Sequence, residues 1–311
     1  MLRLSMRQLR YFEALAQHGH FGRAATACSI SQPALSQQIR ELEEALGAPL
    51  VERGARRVRL TGLGEELAHR TRAILRAVDE LDDLARAQRQ SLTGRLSLGV
   101  IPTVAPYLLP TVVNRIAAAY PRIDLTLREA VTQRLVDDLG AGRLDTAIVA
   151  LPLSEPQLTE HPLFDEDFVL VRPHSDADKP VPGPEALRAM RLLLLEEGHC
   201  FRDQALSYCH PAPESPRELM EGSSLTTLVQ MVSAGIGVTL IPRMAVAVET
   251  RLAHVSTVNL PQPRPQRTVG MVWRKASPLA AQFIEIARLC RELGPSGPRG
   301  SREPATDAPI V

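Results

Sequence analysis

The chain is poor in the residues that staple, anchor or thread a protein. Only four of its 311 residues are cysteine, and no C-x-x-C pair occurs, so neither a disulfide framework nor a dithiol exchange motif is built in. No apolar run approaches the ~18 residues of a membrane span. The opening stretch, Met1-Leu2-Arg3-Leu4-Ser5-Met6, lacks the apolar core of a secretion signal. A cytoplasmic protein with no membrane partner is expected, in which a disulfide would be transient and functional. Lysine is nearly missing: Lys179 and Lys275 are the only two, so arginine carries almost all the positive charge.

What is present reads as a soluble globular protein, 44% hydrophobic and 23% charged. Its length exceeds one ordinary core and predicts two or three domains. The net charge of +1 hides an asymmetry: residues 1–60 hold nine arginines against five glutamates, an excess of +4 that leaves −3 for the remainder. A basic end on a mildly acidic body fits nucleic-acid binding confined to that end.

Met6 to His18 has helical spacing, with Leu9, Phe12, Leu15 and Ala16 on one face. A short helix from Gly22 to Cys28 follows, then a turn, Ser29-Ile30-Ser31-Gln32-Pro33. There Ser31 is the expected N-cap and Pro33 a first-turn residue. The third helix buries Leu35, Ile39, Leu42 and Leu46, ends at Gly47, and turns Ser36, Gln37 and Arg40 outward. This is a helix-turn-helix able to enter a major groove. Pro49–Arg53 and Arg57–Thr61 read as a basic hairpin, or wing. From Gly62 to Gln90 runs one long helix without proline. Leu67, Thr71, Ile74, Val78, Leu81 and Ala85 form a coiled-coil seam along it, as in a dimerising linker.

Ser91-Leu92-Thr93-Gly94 marks a boundary. Beyond it, strands at Leu96–Ile101, Ile123–Leu127 and Thr146–Ala150 alternate with helices at 106–119 and 132–142, which predicts an α/β parallel sheet. Further strands are expected at Phe168–Val171, Leu192–Leu195, Val238–Ile241 and Val269–Trp273. Proline-rich loops are expected near 173–184, 211–216 and 261–265. Two of the four cysteines lie in Glu197-Gly198-His199-Cys200-Phe201-Arg202-Asp203-Gln204-Ala205-Leu206-Ser207-Tyr208-Cys209. A histidine, an arginine and a possible helix start beside them mark a thiol that reacts. Cys28 and Cys290 fall on amphipathic helices as packing residues.

Leu9-Arg10-Tyr11-Phe12, Phe21-Gly22-Arg23-Ala24-Ala25, Ser31-Gln32-Pro33-Ala34-Leu35-Ser36, Ile39-Arg40-Glu41-Leu42-Glu43 and Leu60-Thr61-Gly62-Leu63-Gly64 make the chain resemble the LysR-type transcriptional regulators. The resemblance implies an α/β multidomain fold: a winged helix-turn-helix over residues 1–61, a linker helix over 62–93, and a two-lobed, periplasmic-binding-protein-like effector domain over 94–294. Lobe I would take about 94–164 and 268–294, and lobe II about 165–267; the tail 295–311, outside the resemblance, is rich in Gly, Pro, Ser and Arg and is expected to be disordered. The motif residues and helix geometry together place Gln32, Pro33, Ser36, Gln37 and Arg40 at the groove and Arg53, Arg57 and Arg59 on phosphates.

Within that family the chain is similar to the OxyR-like hydrogen peroxide sensors. This likeness rests on Gly99–Pro110, Glu129-Ala130-Val131-Thr132, Pro162–Glu166, Gly198–Ala205 with Cys209, and Arg267–Gly270. It implies a peroxidatic Cys200, a resolving Cys209, peroxide binding and polarisation by Thr103, Thr132 and His199, and a remote positive charge from Arg267. It also implies activation of oxidative-stress defence genes, partners in double-stranded promoter DNA, RNA polymerase and a thiol reductant, and a homo-oligomer, dimer or tetramer. No cofactor, metal or enzymatic turnover is implied.

The physics of the segment agrees. Thiolate attacks peroxide, and a cysteine in a helix's first turn meets free N–H groups and the positive end of the macrodipole. Arg202 or Arg267 could add a cation; His199 or a threonine could donate to the departing oxygen. Attack yields a sulfenic acid, which a second thiol condenses with. If 200–209 is helical, its ends are separated by ~13 Å of rise and about half a turn beyond two full turns. A disulfide needs Cα atoms roughly 4.4–6.8 Å apart, so the helix must unwind, and Pro211 keeps it short. Two other readings stand beside this one. In the first, a small-molecule effector binds between the lobes and the cysteines are incidental. In the second, a thiol peroxidase, the helix-turn-helix has no task. A zinc set of His199, Cys200, Cys209 and His210 lacks the usual separated-pair spacing.

Overall fold

The computed structural model describes residues 4–52, 58–87, 93–209 and 220–294. Arg53 and Arg57 of the expected wing, the linker helix beyond 87, His210 with the proline-rich 211–216, and the tail 295–311 lie outside the described residues. The chain divides into two compact units between Ala85 and Arg86.

In the first unit, local chemistry sets the helix ends. Helix α1 (Met6–His18) opens on a reciprocal Ser5–Gln8 capping box and closes on Gly19 in the left-handed region. Helix α2 spans Phe21–Ala27, one residue earlier than expected, because His20 caps it: Nδ1 accepts from the Gly22 N–H at 3.0 Å. In α3 (Gln32–Leu46) Ser31 accepts from the Ala34 N–H, Pro33 sits in the first turn and Gly47 terminates the helix. Phe12, Leu15, Leu35, Ile39, Leu42 and Leu50 form the core where these helices meet. One antiparallel bridge, Val51 to Leu60, closes the base of the wing. Helix α4 (Gly62–Ala87) buries Ala68 and Thr71 but leaves Ile74, Leu81 and Leu84 exposed.

The second unit holds strands β1 (Gly94–Val100), β2 (Ile123–Glu129), β3 (Thr146–Leu151), β4 (Leu158–Pro173), β5 (Leu192–Leu195), β6 (Met220–Gly222), β7 (Val238–Pro242), β8 (Val255–Asn259) and β9 (Gln266–Arg274), with helices α5 (Ala105–Ala119), α6 (Thr132–Gly140), α7 (Pro184–Ala189), α8 (Cys200–Cys209), α9 (Leu225–Ser233), α10 (Val246–Glu249) and α11 (Ala280–Arg291). Their order is β2-β1-β3-β9-β4-β7-β5-β6, with β8 also paired to β4. The sheet is mixed, which corrects the expectation of a parallel one. Strand β1 is parallel to β2 and β3, and β5 to β6 and β7, but β9 is antiparallel to β3 and β4, and β4 to β7 and β8. The reason is the crossing: β4 carries the chain from one lobe to the other and β9 brings it back alongside, so the two must oppose.

Strand β4 is also far longer than Phe168–Val171. Its first half interleaves His161, Pro162, Asp165 and Asp167, which hides the strand from an apolar-run reading. Strands β6 and β8 are short or half-exposed and carry little pattern. Each lobe has its own core: Leu98, Val100, Ile148, Met271, Trp273 and Phe283 in lobe I, and Phe168, Leu193, Phe201, Val229 and Leu240 in lobe II. Cys290, on α11 (Ala280–Arg291), is fully buried in the first core, where burial pushes its thiol up to about 12. Cys28 is the half-buried C-cap of α2, its thiol raised by burial and by Glu13.

Candidate functional site

Three chain turns converge between the lobes. Thr103 lies in the turn joining β1 to α5 (Ala105–Ala119), Thr132 is the first residue of α6 (Thr132–Gly140), and Cys200 is the first of α8 (Cys200–Cys209). The approach to α8 reverses at Gly198, whose φ of +92° an L side chain resists. The result is a tight crevice, too narrow to admit a water-sized sphere, with Thr103, Thr132, His199 and Cys200 as its polar members and Ile101, Pro102, Val131 and Phe201 as walls.

Cys200 bridges the lobes. Its side chain is half-buried against the lobe I core, while the adjacent Phe201 is buried in the lobe II core. As the first helical residue it stands among the unpaired N–H groups of α8, where an anion is favoured. Cys209 ends the same helix; its side chain lies outside the described residues.

The polar groups around the sulfur differ in how they are satisfied. Thr103 is buried, and its Oγ1 accepts from Arg267 Nη1 at 2.7 Å, which leaves its own O–H to donate. Thr132 Oγ1 is buried and has no hydrogen-bond partner. A buried hydroxyl without a partner costs about 1–3 kcal/mol. Burial holds the His199 imidazole below its ordinary value, with Glu196 pulling the other way, so the ring is neutral near pH 7 and can both donate and accept.

The two arginines considered for the sulfur are committed elsewhere. Arg202 pairs with Glu221 at 2.5 Å and donates to the Leu195 carbonyl at 3.0 Å, fastening α8 to the neighbouring strands instead of serving Cys200. Arg267, fully buried, is ion-paired with the equally buried Glu166, and its guanidinium lies 5.7 Å from the centre of the Phe201 ring. Sequence reasoning assigned no part to Glu166 or Phe201. It also missed Tyr107, whose phenol donates to Glu249 across the lobes at 2.6 Å. Burial and Glu249 push that phenol well above its usual range. Tyr107 and Glu249 border a second cavity of about 120 Å³ with Glu129, Ser224 and Thr226. No short-range signal could have revealed these pairs, since their members are separated by 101 and 142 residues.

The orphaned hydroxyl makes a direct test. Thr132→Val removes an unsatisfied group and is expected to leave the melting temperature unchanged or raise it. On the expectation that peroxide oxidises Cys200, that reaction should nevertheless slow by about tenfold or more. A large loss of stability would show that Thr132 serves packing instead.

On α3 of the first unit, Gln32, Pro33, Gln37 and Arg40 are exposed and Ser36 is half-buried. Gln37 donates to Glu41 at 3.0 Å, and Arg40 Nε reaches the Ser36 carbonyl at 3.4 Å. Arg59 is exposed at the base of the wing, where its carbonyl accepts from the Glu52 N–H.

Residues 6–65 match the bacterial regulatory helix-turn-helix proteins of the lysR family, and residues 89–293 match the LysR substrate binding domain. A probable hydrogen peroxide-inducible genes activator from Streptomyces viridosporus is 46% identical over 292 residues, covering 93% of this chain and 94% of that one. The DNA-binding transcriptional dual regulator OxyR of Escherichia coli K12 is 40% identical over 290 residues, covering 93% and 95%. Among solved structures, a full-length cysteine-to-aspartate variant of OxyR from Pseudomonas aeruginosa superposes with a TM-score of 0.75 at 35% identity, covering 97% and 99%. A cysteine-to-serine variant of Corynebacterium glutamicum OxyR with hydrogen peroxide bound has a TM-score of 0.64 at 37% identity, covering 94% and 92%. The chain belongs to the LysR family of bacterial transcriptional regulators, in its OxyR-like branch.

Proposed function

We propose that this regulator senses hydrogen peroxide by oxidation of Cys200, forms a Cys200–Cys209 disulfide, and in that state activates oxidative-stress defence genes. The observation that carries the reading is the pocket itself. A thiol at a helix start shares it with two threonines, one whose hydroxyl is left to donate and one whose hydroxyl is buried without a partner. The peroxide-inducible relatives, and the related OxyR that holds hydrogen peroxide, support it.

The chemistry runs in two steps. The Cys200 thiolate forms an S–O bond as the O–O bond breaks, and the departing oxygen leaves as hydroxide and takes a proton to become water. The Cys209 thiol then attacks the sulfenic sulfur, releasing a second water. Helix α8 sets the consequence. Over its length the Cα atoms of Cys200 and Cys209 are separated by ~13 Å of rise, against the roughly 4.4–6.8 Å that a disulfide allows. Closure therefore unwinds α8, and a cellular thiol reductant reverses it. The helix-turn-helix gives each oxidation a regulatory outlet, which favours a sensor over a peroxidase.

The protein acts in the cytoplasm as a homo-oligomer, dimer or tetramer, on double-stranded promoter DNA, and hands its signal to RNA polymerase. Gln32, Pro33, Ser36, Gln37 and Arg40 read the groove, while Arg59, together with Arg53 and Arg57, meets phosphates. The 120 Å³ cavity beside Tyr107 and Glu249 favours a second reading, a small polar effector held between the lobes.

Peptide mapping with intact mass, after one to a few equivalents of hydrogen peroxide, tests the first reading. A loss of two mass units on a Cys200–Cys209 link is expected. Unmodified cysteines under those conditions would reject the thiol switch in favour of the effector.

A further inference from the structure

Arg267 and Glu166 are both wholly buried, a setting in which an ion pair persists only when its geometry is well satisfied. Here it is. The two residues face each other across β9 and β4, and Arg267 Nε and Nη2 both donate to Glu166 Oε2, at 3.0 and 2.9 Å. The other carboxylate oxygen, Oε1, accepts the Met244 N–H at 2.7 Å. Glu166 is thus fixed from both sides, and it fixes the plane of the guanidinium. The far side of that plane grips Thr103 twice: Nη1 donates to Oγ1 at 2.7 Å and Nη2 to the carbonyl at 3.0 Å. With one lone pair of Oγ1 taken by an N–H, the hydroxyl hydrogen is turned away from Arg267 and left to serve the cavities that Thr103 lines, the one beside Cys200 among them. Glu166 itself does not line that pocket.

Building on the peroxide reading, we propose that Glu166 is a positioning residue for peroxide reduction: acting through Arg267, it aims the Thr103 O–H as a fixed donor at the departing peroxide oxygen. Glu166 at the same time neutralises the guanidinium, so Arg267 works as an aligning clamp and not as the counter-ion of the thiolate. No proton passes through the relay. As the sulfur takes the near oxygen and the O–O bond breaks, the electron pair goes to the far oxygen, whose growing charge the Thr103 hydrogen bond stabilises before solvent protonates it.

The test uses the full-length chain carrying Glu166→Gln, which keeps an oxygen for the Met244 N–H but removes the charge. Two second-order rates are measured at Cys200, with hydrogen peroxide and with iodoacetamide. Alkylation requires the thiolate but expels iodide and needs no aligned donor. The expected result is a fall of about tenfold or more with peroxide, and no fall with iodoacetamide. An unchanged peroxide rate overturns the proposal, as does an equal fall in both rates, which would mean a disturbed helix start. A rise in both would show that Glu166 only shields a cation acting on the sulfur. If Glu166→Gln does not fold, Arg267→Lys asks the same question, because a lysine keeps the charge but cannot span Glu166 and Thr103. The same split is expected and the same outcomes overturn it. An unreactive parent protein would reject the peroxide reading itself, a failure distinct from that of the relay.

Discussion

Cys200→Ser is expected to abolish the response to peroxide outright: no disulfide, no unwinding of α8, and identical operator footprints before and after treatment. The loss should be complete because the remaining described thiols are poor substitutes. Cys290 is fully buried with its thiol pushed up to about 12, and the Cys28 thiol is raised as well. Neither presents the thiolate that attacks peroxide at neutral pH. Cys209→Ser should behave differently, stopping at a sulfenic acid on Cys200 that a dione reagent traps. Melting temperature should change little in the serine variant, since the exchange is nearly isosteric and Cys200 is only half-buried. A peroxide-dependent footprint that survives Cys200→Ser would sink the thiol mechanism and turn attention to the cavity beside Tyr107.

The second large effect is expected on α4. Ile74 and Leu81 stand seven residues apart, 46% and 64% exposed, which is the spacing of a coiled-coil seam open to solvent among the described residues. A second copy of the helix would cover them and bring two recognition helices to two half-sites. The double substitution Ile74→Glu and Leu81→Glu places like charges on that seam and should yield monomers in sedimentation. Operator affinity should then fall by roughly 10²- to 10⁴-fold, the range lost when two linked binding events become separate. Because both side chains are exposed in the protomer, its helical circular dichroism should persist. Dimers that remain intact would place the oligomer contact elsewhere.

The elements differ in how legible they were. The boundaries of α1 and α3 could be read almost to the residue, because Ser5, Ser31, Gly19 and Gly47 act on backbone groups within a few positions. Strand β5 was read at its observed limits, as a short run of leucines buried on both faces. Strand β4 was not, since its polar first half is dictated by the crossing between lobes and by what lies on either side of it. The same contrast holds at the candidate site. His199 and Cys200 adjoin in sequence, and the start of α8 beside them follows local rules. That Thr103 and Thr132 reach the same pocket depends on β1 and β2 pairing in parallel, which puts the turns that follow them at one end of the sheet.

The chain by itself determined its helix-turn-helix, the long helix α4, its alternating strands and helices, and the placing of two cysteines in one short segment, because each rests on capping, periodicity or composition within a short window. Only the tertiary structure decided that the sheet is mixed, that Arg202 turns to Glu221, and that Arg267 answers to Glu166 and Thr103. Those outcomes join residues up to 164 positions apart. Buried charges take whichever partners the closed fold leaves within reach, and desolvation penalises any other arrangement.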